Sequence, residues 1–383
     1  MRVALVGDPI AGTAGDYDIE SLADALAQRG HDVDLYTASR LQGSDARSYR
    51  VVQIPVQQTD GHLLPVIGDV SHFLRGHWRE NAPSVVHCFG WTHGMAAQLA
   101  VRQRPTPVVQ TLHRLADPAR RHGERTPARD TASKLETLLA RNATMVTASC
   151  TEEIDEVIRR GCRRARVAVL PSGVDVPDAF DTDGSAVPSR VSRHRIVALA
   201  QNFSVSHGLA RVVAALPALP TAELILLAAD DDDDPSRDGR GLLAAAERLG
   251  VADRTKVAAA TDAREAMAWL RSADVAVCPA PYDPDTRTVL RAMSSGVPVV
   301  AADAGGPRDA VIAEVTGRLV AAGNTVELGR ALLSILRENV LREGMGMAGR
   351  TRARSRYSWD RIATDAEAVY QAAVQQCVPA MSV

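Results

Sequence analysis

Short runs of Val, Leu, Ile and Ala recur along this 383-residue chain, and segments with helical spacing separate them. The first repeat shows the pattern. Val3–Val6 reads as a buried strand, Ile19–Leu26 places apolar residues on one face of a helix, and Val33–Tyr36 reads as the next strand. Because parallel strands need a long crossover, usually a helix, this alternation predicts α/β domains in which helices cover both faces of parallel sheets.

The pattern occurs in two successive halves, and the chain is long enough for two domains of ordinary size. Residues 177–192 are rich in Asp, Ser and Pro and lack apolar periodicity, which is typical of a linker. We predict two Rossmann-like domains facing across a cleft, over residues 1–180 and 190–355. A last helix, within residues 356–383, is predicted to cross back to the N-terminal domain.

The composition excludes several functional classes. A net charge of −2 provides no basic excess for a dominant nucleic-acid role. No stretch of 18 apolar residues occurs, so we expect no transmembrane segment, and the apolar run at the N-terminus is too short for a signal peptide. The five cysteines form no CxxC pair, which favours reduced thiols and a cytoplasmic location.

Several sequence blocks carry a resemblance to a known family. In the first half they include VVQTLH at residues 108–113 and VLPSGVD at residues 169–175. The most specific block is RSADVAVCPAPYDPDTRTVLRAMSSGVPVVAADAGGPRDAV at residues 271–311. The chain resembles the family-4 retaining glycosyltransferases of the GT-B fold. This resemblance implies an enzyme that moves a sugar from a nucleotide-diphosphate sugar, with a UDP sugar favoured, to a small-molecule or glycan acceptor.

The implied donor site departs from the family pattern. Asp283 stands where the family has the first acid of an acidic pair, which contacts the donor sugar. Arg291 stands at the second position, where the family's Glu binds the ribose; an arginine cannot accept those hydrogen bonds. Asn202 and His207 stand where the family has an Arg and a Lys that clamp the diphosphate. Both charges are lost, although a retaining mechanism builds charge on the leaving diphosphate.

Other groups could replace the missing donor contacts. The candidates are protonated His207, the guanidinium of Arg287 or Arg291, and backbone N–H groups at the predicted helix start near Asp285 and Thr286. The alternative is that the donor site has decayed.

In the N-terminal half, the resemblance places His113 against the donor sugar, and its position at a strand end agrees with a ligand site. A structural histidine is the alternative. Gly12 and Gly15 match the family's phosphate-approaching loop loosely, and a simple turn explains them nearly as well.

Acceptor contacts are predicted from His87 and from the basic segment between Arg114 and Lys134, which suits a phosphorylated acceptor. For His87 a core position is an equal alternative, and for the basic segment the alternative is a solvated loop. Residues 72–79 combine aromatic and basic side chains; packing on the sheet is favoured over peripheral contact with a membrane surface.

Three functions remain open. The first is an active, metal-independent transferase with no cofactor besides the nucleotide sugar as co-substrate. Asp230–Asp234 reads as a solvated loop and Asp283-Pro284-Asp285 belongs to the donor motif, so neither reads as the Asp-x-Asp triad that holds a metal–diphosphate complex. The second is a catalytically impaired homologue that binds or activates a partner. The third, a Rossmann-type module with other chemistry such as epimerisation, is the weakest, since no matching acid–base arrangement is recognisable. The oligomeric state stays open.

Overall fold

A computed structural model describes residues 1–7, 18–39, 41, 47–55, 63–113, 115, 127–176, 189–200, 203, 207–228, 235–259 and 263–377. The strands are β1 Arg2–Val6, β2 Asp32–Thr37, β3 Arg50–Gln53, β4 Val85–Phe89, β5 Val108–Leu112, β6 Met145–Ala148, β7 Val167–Val169, β8 His194–Ala200, β9 Ala222–Ala228, β10 Thr255–Ala259, β11 Val275–Cys278, β12 Val299–Ala302 and β13 Gly317–Val320. The helices are α1 Ile19–Gln28, α2 Leu63–Glu80, α3 Trp91–Val101, α4 Pro127–Asn142, α5 Thr151–Arg159, α6 Leu209–Ala215, α7 Pro235–Arg248, α8 Ala263–Arg271, α9 Arg287–Ser294, α10 Gly305–Ala310, α11 Thr325–Arg337, α12 Asn339–Tyr357 and α13 Trp359–Cys377.

The chain divides into two compact units. Unit 1 comprises Met1–Gly173 and Trp359–Val383, and unit 2 comprises Val174–Ser358. Most of the predicted linker, residues 177–188, lies outside the described residues, so its bounds stay a prediction.

Unit 1 contains a seven-stranded sheet in the order β3-β2-β1-β4-β5-β6-β7. Every pair of neighbouring strands is parallel. The strand order reverses between β1 and β4, which is where open α/β sheets bind ligands, beyond the carboxyl ends of the strands.

Strand β1 shows why both faces of this sheet are covered. Val3 and Leu5 point into one core cluster, whereas Ala4 and Val6 point into another on the opposite face. Successive side chains of a strand alternate between faces, so a run that is apolar throughout needs helices on both sides.

The last helix, α13, packs against α1 and the first sheet. Its first residue, Trp359, lies so close to Gly173 that a Cβ at position 173 would be 2.4 Å from the indole. The Arg29 side chain, at the end of α1, also binds α13 through Asp360 and Glu367, each at 2.7 Å. The C-terminal helix is therefore part of unit 1.

Unit 2 contains a six-stranded parallel sheet in the order β10-β9-β8-β11-β12-β13. Its order reverses between β8 and β11. Along β8, Ile196 and Ala198 enter one core cluster, and Val197 and Leu199 enter the cluster on the opposite face. The prediction of two Rossmann-like α/β domains is confirmed.

The residues around 72–79 belong to α2. Leu74 and Trp78 are buried and pack into one of the core clusters of unit 1. The structure therefore shows the packing role that the sequence favoured over membrane contact. In the described part of the chain, no helix is both long and apolar enough to cross a membrane.

Candidate active site

His113 follows β5 directly, at the carboxyl edge of the first sheet. Its Nδ1 lies 2.7 Å from the Oγ of Ser149, which follows the neighbouring strand β6. Because parallel strands end at the same edge, the register of β5 and β6 brings these two side chains together. The half-buried ring is thus held at the edge where the sequence placed it, and its contact with a donor sugar stays a prediction.

Glu153, on α5, anchors the chain just beyond His113. It is completely buried, and its Oε1 accepts a hydrogen bond of 2.8 Å from the backbone N–H of Leu115. Burial raises the pKa of Glu153 to about 7; the nearby His113 ring opposes this rise and Glu136 adds to it. Side chains of neighbouring elements therefore hold both His113 and Leu115.

Glu153 was missed in the sequence analysis. It stands in the first turn of a helix, where an acidic residue usually faces solvent and interacts with the helix dipole. No local pattern shows that this carboxylate instead turns inward to the backbone of a segment 38 residues earlier.

His87 lies in the core rather than at an exposed acceptor site. Its Nδ1 is 2.8 Å from the hydroxyl of Tyr370, and its Nε2 is 2.6 Å from the hydroxyl of Thr111. The Thr111 hydroxyl in turn lies 2.6 Å from that of Thr147. Burial lowers the pKa of His87 to about 3, so the ring is neutral. The predicted acceptor contact is corrected: this histidine links α13 to the sheet.

Among the remaining predicted site residues of unit 1, the structure describes only Lys134. Lys134 is exposed on α4. Gly12, Gly15 and Arg114 lie outside the described residues, as does Asn202 in unit 2, so their predicted roles stay predictions.

In unit 2, the donor motif forms the loop between β11 and α9. The Oδ1 of Asp283 accepts the backbone N–H of Asp285 at 3.0 Å. The Oδ1 of Asp285 accepts the backbone N–H of Arg287 at 3.0 Å, and its Oδ2 accepts the Arg287 Nε at 2.6 Å. These local bonds hold the loop in one shape, and all three residues are largely buried or half-buried.

The hydrogen bonds within the donor loop occupy two of the groups proposed to replace the diphosphate clamp. The Arg287 guanidinium is paired with Asp285, and the backbone N–H of Asp285 is already donated to Asp283. A diphosphate would have to compete with these carboxylates. From the motif alone both groups look available, because pairing within the loop is not visible in the sequence.

Two glycines allow the donor loop to lie against the start of α10. Gly305 has a φ of +58°, and a Cβ there would be 2.3 Å from the carbonyl oxygen of Asp283. The backbone N–H of Gly306 donates to that same oxygen at 2.7 Å. A Cβ on Gly306 would be 2.8 Å from the carbonyl oxygen of Pro284. The Gly-Gly pair is therefore required by backbone approach.

The other donor candidates surround this loop. Thr286 is completely buried at the start of α9, and its hydroxyl has no hydrogen-bond partner in the part of the chain that the structure describes. Arg291 is half-buried on α9. His207 is nearly buried and immediately precedes Gly208, whose φ is +73°.

Among the described residues, no cluster of His, Cys, Asp and Glu could hold a metal ion.

Two family models match the chain, one in each unit. The model described as "Glycosyl transferase 4-like domain" matches residues 16–173, and the model described as "Glycosyl transferases group 1" matches residues 186–352. Together they account for most of the chain. The chain belongs to the family-4 glycosyltransferases of the GT-B fold.

This glycosyltransferase is 28% identical to a D-inositol 3-phosphate glycosyltransferase of Xylanimonas cellulosilytica, over 98% of this chain and 96% of the relative. Its structure is similar to sucrose-phosphate synthase from Thermosynechococcus elongatus, with a TM-score of 0.80, 22% identity, and coverage of 97% and 98% of the two chains. Anabaena HepE in complex with UDP-glucose gives a TM-score of 0.73 at 20% identity, covering 97% of this glycosyltransferase and 100% of HepE. The structural likenesses show the fold.

Proposed function

We propose that this glycosyltransferase moves a sugar from a nucleoside-diphosphate sugar to a small-molecule or glycan acceptor and retains the anomeric configuration. A UDP sugar is the favoured donor, and the UDP-glucose complex of Anabaena HepE supports that choice. A phosphorylated acceptor is supported by the name of the relative from Xylanimonas cellulosilytica and by the exposed charge of Lys134.

The observation that carries this proposal is the fixed shape of the donor loop. Asp283 is held by the N–H of Asp285, and the loop carbonyls lie against the Gly305–Gly306 pair. A site that binds a sugar in a defined orientation needs side chains whose positions are set before the ligand arrives. The loop provides this for the Asp283 carboxylate, which we assign to a hydroxyl of the donor sugar.

His113 is the second residue that we assign to the donor sugar. The Ser149 hydroxyl orients its ring, and Glu153 holds the following backbone.

We further propose that transfer needs no divalent metal or added cofactor and that it takes place in the cytoplasm. Turnover should persist in a chelator. Loss of turnover that magnesium or manganese restores would contradict metal independence and direct attention to Asp283 and Asp285.

A thermal-shift screen tests the donor assignment. Ligands that bind only the folded state raise the unfolding midpoint, so UDP, GDP, ADP and their sugars can be ranked by the increase that each produces. We expect the uridine compounds to give the largest increase. If none of these nucleotides changes the midpoint at millimolar concentration, the catalytically impaired homologue becomes the better description, because its donor site would have decayed.

A further inference from the structure

Arg211 lies one helical turn beyond His207, the position at which the family's clamping lysine is missing. It belongs to α6, which begins just after Gly208 at the carboxyl edge of the second sheet. Side chains of a helix lean toward its N-terminus, so a long side chain at position 211 is directed back over the preceding turn. Position 211 lies outside the spacing of the family motif, so the motif does not point to this arginine.

The observed side chain follows that direction. A Cβ on Gly208 would be 2.9 Å from the Arg211 Nη1, so the guanidinium lies directly against the backbone at residue 208. A Cβ on Gly323 would be 3.9 Å from the guanidinium carbon. Both glycines have a positive φ, of +73° and +83°, and neither carries a side chain that would cover the charged group.

Within the part of the chain that the structure describes, no acidic side chain balances the charge of Arg211. Its Nη1 is buried without a hydrogen-bond partner, and the side chain makes no ion pair, within the described ranges of the chain. Arg287 differs, because Asp285 neutralises it at 2.6 Å. A buried donor on a charged group is costly when it has no acceptor, so this position is suited to an anion that the protein itself does not supply.

The surroundings of Arg211 place it at the ligand edge of the sheet. It lines a small cavity together with Cys278 and Ala302, the last residues of β11 and β12, and with Pro279 and Asn324. Ligands of open α/β sheets bind beyond the carboxyl ends of the strands, next to the reversal of strand order, which here lies between β8 and β11.

We propose that Arg211 binds the diphosphate of the nucleotide-sugar donor and supplies the positive charge that is absent at position 207. This inference rests on the proposed function. During transfer, the bond between the sugar anomeric carbon and the diphosphate oxygen breaks, and its electron pair stays on that oxygen. The acceptor oxygen bonds to the anomeric carbon, and the proton of the acceptor hydroxyl passes to solvent water. Arg211 stabilises the negative charge on the leaving diphosphate through charge-assisted hydrogen bonds.

Titration calorimetry of the full chain with UDP and with uridine tests this role. In Arg211→Ala we expect the Kd for UDP to rise about 10-fold to 100-fold, as for the loss of one or two charge-assisted hydrogen bonds. The Kd for uridine, which has no phosphate, should not change. Arg330→Ala is a matched control, because Arg330 is exposed on α11 and lines no part of the cavity. It should bind UDP like the native chain.

Two further variants distinguish the effect of the Arg211 charge from the effect of its packing. In the Arg211→Ala background, His207→Lys returns a cation to the family position and should recover most of the lost UDP affinity. Arg211→Gln keeps most of the side-chain volume without the charge, and it replaces the alanine variant if the latter does not fold. Recovery by His207→Lys supports a role in charge, whereas a purely structural arginine would not be rescued.

The outcomes distinguish this inference from the proposed function. If the native chain binds UDP and Arg211→Ala and Arg211→Gln bind it equally well, the Arg211 assignment is overturned and the donor assignment stands. If the native chain binds none of UDP, GDP and ADP at millimolar concentration, both are overturned.

Discussion

The two units hold their buried polar groups in different ways. In unit 1, His87, Thr111 and Tyr370 form a buried network of neutral groups that joins two strands to the last helix. In unit 2, Asp283, Asp285 and Arg287 satisfy one another within five residues of one loop.

The polar network of unit 1 depends on contacts between distant parts of the sequence, whereas the donor loop of unit 2 depends on neighbouring residues. The network of unit 1 forms only when residues 283 positions apart in the sequence have met, as His87 and Tyr370 do. The hydrogen bonds described for the loop of unit 2 are made within the loop and with the glycine pair that follows β12. Changes in unit 2 should therefore act through backbone shape, and changes in unit 1 through burial and protonation.

The largest expected effect comes from Gly305→Ala. The new Cβ would lie 2.3 Å from a backbone oxygen, at a φ of +58° that L-residues rarely adopt. Strain and overpacking together should lower the free energy of unfolding by about 2–5 kcal/mol. Chemical denaturation measures this, with Gly344→Ala as the control. Gly344 is exposed in α12 with open space around it, so that alanine should be neutral or stabilising. If Gly305→Ala is as stable as the native chain, residue 305 does not lie as close to the carbonyl oxygen of Asp283 as the structure shows.

The next effect concerns acid stability through His87. Its folded-state pKa is lowered to about 3, so its contribution to stability is present above pH 6.5. That contribution is lost as the pH falls from 6.5 toward 3, by at most about 1.4 kcal/mol per pH unit. His87→Asn should be less stable at neutral pH and should show a weaker decline in acid. His72→Asn, at an exposed site, should leave the profile unchanged. If the stability of His87→Asn falls equally steeply in acid, the acid sensitivity of the native chain comes from other groups.

Glu153 should show the opposite pH dependence. Its folded-state pKa is raised to about 7, so its contribution to stability is full below its unfolded pKa, about 4.5, and is lost as the pH rises through 7. Glu153→Gln keeps an oxygen for the Leu115 N–H and removes the titration. It should stabilise the protein at pH 8 by about 1–3 kcal/mol and have little effect at pH 4. Glu80→Gln, at an exposed site, serves as the control. Destabilisation of Glu153→Gln at pH 8 would contradict a buried carboxylate that is costly to ionise.

The smallest expected effect is catalytic. His113→Ala should lower turnover by about one order of magnitude, equal to about 1.4 kcal/mol, while the unfolding midpoint stays close to that of the native chain. Ser149→Ala should reduce turnover less, because it removes only the orienting contact. Full turnover by His113→Ala with a good substrate would give this histidine a structural role.

The contrast between the units also explains what could be predicted from the sequence. The order of strands and helices follows from local periodicity, and the donor loop follows from a contiguous motif containing Asp283 and the glycine pair. The inward turn of Glu153 and the hydrogen bond between His87 and Tyr370 depend on tertiary packing. No spacing in the chain encodes these contacts.

Transfer itself is tested most directly by proton NMR of the product. The native chain would be incubated with the nucleotide sugar that gives the largest thermal shift and with D-inositol 3-phosphate as the first acceptor. We expect a product whose anomeric proton shows the same configuration as the donor, with one nucleoside diphosphate released for each sugar transferred. A product of inverted configuration would contradict retention. Tight donor binding without transfer to any acceptor offered would contradict the assignment of an active transferase.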